Sequence, residues 1–153
     1  MLKISPDNLS DGEIIALLNL HRQEMLKHSP VESVHALDEK ALTLDSLSFW
    51  RAEYKGNFAA CGAIKHLSSS HAELKSMKTI DAFLRKGIAR TLLLALIQEA
   101  KNRGYEKLSL ETGTMAVFIP ARTLYKSVGF VECAPFGEYF QDVNSVCMSL
   151  KLL

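Results

Sequence analysis

The stretch Leu84-Arg85-Lys86-Gly87-Ile88-Ala89-Arg90, continued by Thr91 to Gly104, organises the reading of the whole chain. Beyond it, apolar residues recur at helical spacing: Ala89, Leu92, Leu93, Leu96, Ile97 and Ala100 form one stripe. The spacing predicts a helix over Gly87–Arg103, with Gly104 as the left-handed residue that closes it. The first amides of a helix have no intrahelical partner, and the macrodipole places about half a positive charge there. Gly87 and the small Ala89 let a ligand approach the backbone closely, and Arg85, Lys86 and Arg90 add charge around the same turn. These features suit a pyrophosphate group. They equally suit a solvated basic turn that caps a core helix, and residue types alone do not separate the two.

Working outward from this helix, the pattern on both sides alternates between strands and helices. Leu2 to Ser5 reads as a short strand. Ser10 or Asp11 reads as the N-cap of a helix whose Ile14, Leu17, Leu18 and Met25 share a face, with Pro30 beyond its end. A short helical stretch is predicted over Asp38–Leu44. Phe49–Tyr54 and Phe58–Leu67 flank the turn signal Lys55-Gly56-Asn57 and read as a hairpin. Ala72–Ile80 is the next strand, with Glu73, Lys75, Met77 and Thr79 expected on one face. After the central helix come a strand at Leu108–Thr112 and a helix opening near Thr114, with Pro120 close to its start. In that helix Val117, Ala121, Leu124 and Val128 are expected to face inward. Strands at about Phe130–Ala134 and Ser145–Leu152 complete the chain. The expected fold is mixed α/β: one twisted mixed sheet of about six to seven strands with helices on both faces, and a parallel crossover around Gly87–Arg103.

Bulk properties narrow the function classes. The chain has 153 residues, 48% of them hydrophobic and 23% charged, and no Pro/Gly/Ser-rich linker divides it. One domain over residues 1–153 is therefore expected. The net charge of +1 comes without a basic stripe, which argues against nucleic acid as a partner. No apolar run reaches the ~20 residues that cross a bilayer, and Met1–Asp11 lacks the pattern of a signal peptide. No membrane association and a cytoplasmic location are expected. Cys61, Cys133 and Cys147 have no CxxC spacing, and no HExxH or Cys/His set accompanies them, so no metal is expected. Serine-hydrolase chemistry lacks its GxSxG turn, and the GxxxxGK[ST] and GxGxxG phosphate loops are absent as well.

The 84–90 stretch resembles the acetyl-CoA loop of the GNAT superfamily, Q/R-x-x-G-x-G/A, with Gly87 and Ala89 at the two small positions and Leu84 in place of the Gln or Arg. Ala121-Arg122-Thr123-Leu124-Tyr125-Lys126-Ser127-Val128-Gly129-Phe130 is similar to a second family segment, A-x-x-L-Y-x-x-x-G-F, and the likeness extends from about Ala52 to Leu152. It implies an N-acetyltransferase that moves an acetyl group from acetyl-CoA, its co-substrate, to a primary amine of a small molecule or peptide by direct transfer. It also implies cofactor contacts at Leu84, Arg85, Lys86, Gly87, Ile88, Ala89 and Arg90. The backbone of Met77, Lys78 and Thr79 would pair with the pantetheine arm, in a gap between that strand and the one at Leu108–Thr112. Phe118 stands where the family often has an Asn beside the cofactor. By the same likeness Tyr125 protonates the leaving thiolate, and many such proteins pair as homodimers.

An amine arrives mostly as ammonium and needs a base. The resemblance makes Glu73 the first candidate, since histone-acetylating members of the family carry a catalytic Glu on the corresponding strand at a spacing similar to its 14 residues before Gly87, and Glu111 on the facing strand is the second. His66 and His71 are weaker ones. The resemblance directs the acceptor pocket to His21, Met25, the Val34–Leu37 segment, Trp50 and Pro135–Tyr139. The alternative function is a catalytically inactive acyl-CoA-binding regulatory or interaction domain, which keeps the loop but needs neither base nor Tyr125.

Overall fold

A computed structural model of the chain describes residues 1–35 and 45–153. The helix expected at Asp38–Leu44 lies outside the described residues. Seven strands form one mixed sheet in the order β1-β2-β3-β4-β5-β7-β6. They are β1 (Leu2–Asp7), β2 (Leu47–Tyr54), β3 (Asn57–His66), β4 (His71–Thr79), β5 (Lys107–Gly113), β6 (Val131–Cys133) and β7 (Ser145–Lys151). Among the described residues the α-helices are α1 (Glu13–His28), α2 (Ile88–Asn102) and α3 (Ile119–Ser127). Neighbouring strands run antiparallel except β4 and β5, which pair in parallel because α2 intervenes and returns the chain to the same end of the sheet.

Each helix buries the stripe its sequence carries. Ile88, Leu92, Leu93, Leu96, Ile97 and Ala100 of α2 pack on Trp50, Ala52, Ala60, Ile64 and Leu74 of the sheet. Ala121, Leu124 and Tyr125 of α3, with Val128 just past its end, join this core, so α2 and α3 cover one face. Ile14 and Leu18 of α1 pack on Phe49, Cys61 and Ala63 on the other. Gly104, at φ 88°, closes α2 as expected. Its N–H bonds Lys101 O at 3.0 Å and that of Tyr105 bonds Ala100 O at 3.2 Å, the paired bonds of a Schellman ending.

Three expectations change. Helix α1 opens one residue past the proposed caps, on Gly12 at φ 77°, while Asp11 Oδ1 accepts the Glu13 N–H at 3.0 Å in a local turn. Val117 does not face inward: it lies in a 3-10 turn at Ala116–Phe118 ahead of α3 and is 59% exposed. The third change is in β4. Ser76 has φ 59°, and the register slips so that Cys61 pairs with Lys78 while Ala63 pairs with Lys75. One extra residue in β4 reverses the alternation beyond it. Glu73 and Lys75 therefore share the α1 face, whereas Met77 turns to the α2 core.

Candidate active site

The turn before α2 is built from two left-handed residues. Arg85 has φ 63° and Gly87 has φ 75°. Between them they swing the chain from the end of β4 into the helix, and no side chain caps the helix start. A Cβ on Gly87 would meet nothing within 4 Å, so the backbone there faces open space. Leu84, Arg85, Lys86 and Arg90 are exposed around the turn. Lys86 Nζ lies 5.6 Å from the centre of the Tyr54 ring, and Arg90 Nη1 donates to Ser127 Oγ at 2.9 Å, tying α2 to the end of α3. Ile88 is buried and anchors the turn to the core. The arrangement has the uncapped amides, open approach and positive side chains that an anionic phosphate group needs.

The sheet opens beside this turn. β4 and β5 pair at only three positions, His71 with Lys107, Ala72 with Leu108 and Glu73 with Ser109. Past Glu73 the two strands part, although β4 runs on to Thr79 and β5 to Gly113. The Ser76 bulge bends β4 within this unpaired length. Phe118 packs its ring over Gly113 at the end of β5; a Cβ on Gly113 would lie 2.2 Å from that ring. Met77, Lys78, Thr79 and Phe118 thus all border the opening.

Titratable groups gather at the same opening. On the α1 face Glu73 is 3% exposed and accepts from the hydroxyl of Tyr139 and from Lys75 Nζ at 3.3 Å. Lys75 Nζ also donates to Tyr139 Oη at 2.8 Å, closing a triangle of one buried and two half-buried groups. Burial and the adjoining Glu73 charge push the Tyr139 hydroxyl far above the usual tyrosine range. Glu111, one strand away, accepts from Ser145 Oγ at 2.6 Å. Burial pushes its carboxyl up to about 7, against the lowering effects of the Ser145 bond and the Lys75 charge. On the other face Tyr125 packs against Phe130 at 5.8 Å between ring centres. Burial first, and the Glu111 charge second, push its hydroxyl up to about 12. The parted strands are where the two faces of the sheet communicate, with a carboxyl group on one side and a protonated phenol on the other.

The segment between β6 and β7 covers the α1 side. Phe136 lies 5.6 Å from the His71 ring and 5.1 Å from the Tyr139 ring, and His35 stands edge-on to Tyr139 at 4.9 Å. Asp142 accepts from Ser33 Oγ at 2.6 Å, which fastens this segment to the chain after α1. Burial holds His21 neutral, down to about 4, with the Lys78 charge adding to the effect.

Other sequence candidates are elsewhere. Trp50 is 8% exposed in the α2 core with Arg103 over its ring, on the face opposite Glu73. His66 Nδ1 is 2.6 Å from Tyr105 Oη, and His71 Nε2 is 2.7 Å from Ser109 Oγ, so both rings are occupied within the sheet. Sequence reasoning missed Lys75 and Ser145. Lys75 was visible two residues from Glu73 on a strand; nothing local marked Ser145, whose role depends on β7 lying beside β5.

This combination, a mixed sheet parted after one parallel pairing and an uncapped glycine-initiated helix beside the gap, defines a class. The acetyltransferase (GNAT) family model matches residues 14–130, and the chain belongs to that family. It is 47% identical to the uncharacterized N-acetyltransferase YsnE of Bacillus subtilis, over 99% of this chain and 100% of that one. A Klebsiella pneumoniae structure, described as a candidate acyl-CoA N-acyltransferase, superposes with a TM-score of 0.79 at 26% identity, covering 100% and 99% of the two chains. A GNAT acetyltransferase of Elizabethkingia anophelis, solved with acetyl-CoA bound, has a TM-score of 0.71 at 19% identity over 98% and 97%.

Proposed function

We propose that this acetyltransferase moves an acetyl group from acetyl-CoA directly to a primary amine of a small molecule or peptide. The observation that carries the reading is the parted β4–β5 pair, flanked by Glu111 on one face and Tyr125 on the other, with the Gly87 turn at its end. The uncapped amides from Gly87 to Arg90, with Arg85 and Lys86, suit the pyrophosphate, and the unpaired edge of β4 along Met77, Lys78 and Thr79 suits the amide-bearing arm. The co-substrate supplies an activated thioester.

Of the two carboxylates, Glu111 has the better qualifications as base. A carboxyl near 7 is half ionised at neutral pH and can take a proton from an ammonium. Glu73, the first choice on sequence grounds, is engaged by Lys75 and Tyr139, and we assign it to holding those two groups. Once deprotonated, the amine attacks the carbonyl carbon. An amide of the open β4 edge stabilises the charge that develops on oxygen, an effect worth about 3–4 kcal/mol in enzymes where it has been removed. Tyr125, which keeps its proton to about 12, gives it to the departing sulfur. Bringing two reactants together contributes up to about 7–11 kcal/mol.

The test is release of CoA thiol from acetyl-CoA across polyamines, amino acids, aminoglycosides and peptide N-termini, with calorimetric titration alongside. At least one amine should raise release above hydrolysis. Binding without release for every amine would favour the inactive regulator; no heat at millimolar acetyl-CoA would end both readings.

A further inference from the structure

We infer that Cys133 and Cys147 are a redox-active pair, forming a reversible disulfide by exchange with low-molecular-mass disulfides and so closing the base of the segment that covers the α1 side of the site. The strand register sets the two residues directly opposite each other across β6 and β7. Opposed antiparallel residues stand about 4.5–5.5 Å apart between Cα atoms and point to the same face. That spacing falls inside the ~4.4–6.8 Å that a disulfide spans. Both thiols are free, and both line one cleft of about 330 Å³ together with Pro135, Phe140, Asp142 and Ser145.

The two thiols are not equivalent. Cys133 is half-buried, and Ser149 Oγ donates to its sulfur at 3.1 Å. Ser149 Oγ is 2.7 Å from Ser109 Oγ, which is 2.7 Å from His71 Nε2. With Ser149 donating to sulfur, Ser109 donates to Ser149 and His71 to Ser109. Three donors thus run in series toward the Cys133 sulfur. Cys147 is buried, and burial pushes its thiol up to about 11. Cys61 differs from both: it is wholly buried, its thiol donates to Ser76 O at 3.3 Å, and it has no facing cysteine.

The chemistry follows from this asymmetry. The Cys133 thiolate attacks one sulfur of a small disulfide, making a mixed disulfide and expelling one thiolate. Cys147 gives its proton to water and attacks the Cys133 sulfur. The Cys133–Cys147 bond forms, and the second small thiolate leaves. Two protein thiols are oxidised and one small disulfide is reduced to two thiols, the protons given up by Cys133 and Cys147 ending on the two departing thiolates. The closed segment carries Phe136, Tyr139, Phe140 and Asp142, whose contacts reach Glu73, His35 and Ser33. The thiol chemistry is independent of acetyl transfer; only the description of this segment as an acceptor-side cover rests on that reading.

Incubation of the full chain with oxidised glutathione at pH 8, followed by alkylation and peptide mapping, tests the assignment. Free thiols should fall from three to one, with a Cys133–Cys147 peptide that dithiothreitol releases. Ring closure should quicken about tenfold per pH unit below the Cys147 value, since only its thiolate attacks. Cys147→Ser should stop at a single glutathione adduct on Cys133, and Cys133→Ser should keep both remaining thiols. Three thiols persisting in the wild type, covalent dimers in place of the internal bond, or a Cys133→Ser chain that reacts as fast as wild type would each overturn it.

Discussion

Replacing Glu111 by Gln removes one ionisable group and keeps its shape. The Ser145 hydroxyl, 2.6 Å away, can still donate to the amide oxygen, so the local structure should survive. In the unfolded chain this carboxyl ionises near its ordinary 4.5; in the folded chain it holds its proton to about 7. Between those limits the folded state binds more protons than the unfolded one. Folding stability therefore falls as pH rises through that window, by up to about 3 kcal/mol, and levels off above it. E111Q cannot ionise and lacks this contribution. Urea unfolding of both chains at pH 5, 6, 7 and 8 should show the wild type losing about that much relative to the variant, most of it before pH 7. Kinetics supply a second reading. Wild-type kcat/KM should fall tenfold per unit below pH 7, while E111Q should lose this bend and drop by about 10²–10⁴ in rate, with acetyl-CoA affinity unchanged. Stability curves that run parallel would refute the raised carboxyl, and a bend near 7 persisting in the variant would refute its role as base.

Gly87→Glu should abolish acetyl-CoA binding by calorimetry while the protein still melts cooperatively: the added side chain enters open space, and the left-handed backbone at φ 75° costs only about 1–2 kcal/mol. Unchanged affinity would mean that the turn is a helix cap and nothing more. Tyr125→Phe should leave acetyl-CoA affinity within a few-fold and slow thiol release by about 10²-fold or more, and wild-type turnover would remove the phenol from the proton path. Tyr139→Phe takes away the hydroxyl that Glu73 accepts from and Lys75 donates to, so it should destabilise the fold by about 1–3 kcal/mol in urea. Its larger kinetic effect should fall on the acceptor KM; a change confined to the acetyl-CoA KM would disconnect this residue from the acceptor side.

What was legible in the sequence was what neighbouring residues decide among themselves. The α2 stripe, its Gly104 ending and the open Gly87 start rest on helical period and on glycine's access to positive φ, and each lies within a few residues of its cause. The hairpin through Lys55 and Gly56, both left-handed, belongs to the same kind. The Ser76 bulge does not. Serine carries no mark of a left-handed residue, and alternation counted through it assigned Met77 to the face it leaves. The two glutamates make the point most sharply. Glu73 and Glu111 are both strand residues among apolar neighbours, and Glu73 ranks first only through the family resemblance, not through anything its immediate neighbours show. Their difference arises from partners far along the chain: Tyr139 lies 66 residues from Glu73, and Ser145 lies 34 from Glu111. Glu73 has an ammonium within 3.3 Å and a phenol donating to it, whereas Glu111 has one hydroxyl and a largely desolvated carboxyl. Burial, opposed by little else, pushes the Glu111 carboxyl toward neutral pH. The proposal of Glu111 over Glu73 as base thus rests on where β7 and the segment before it come to rest, and that is tertiary information.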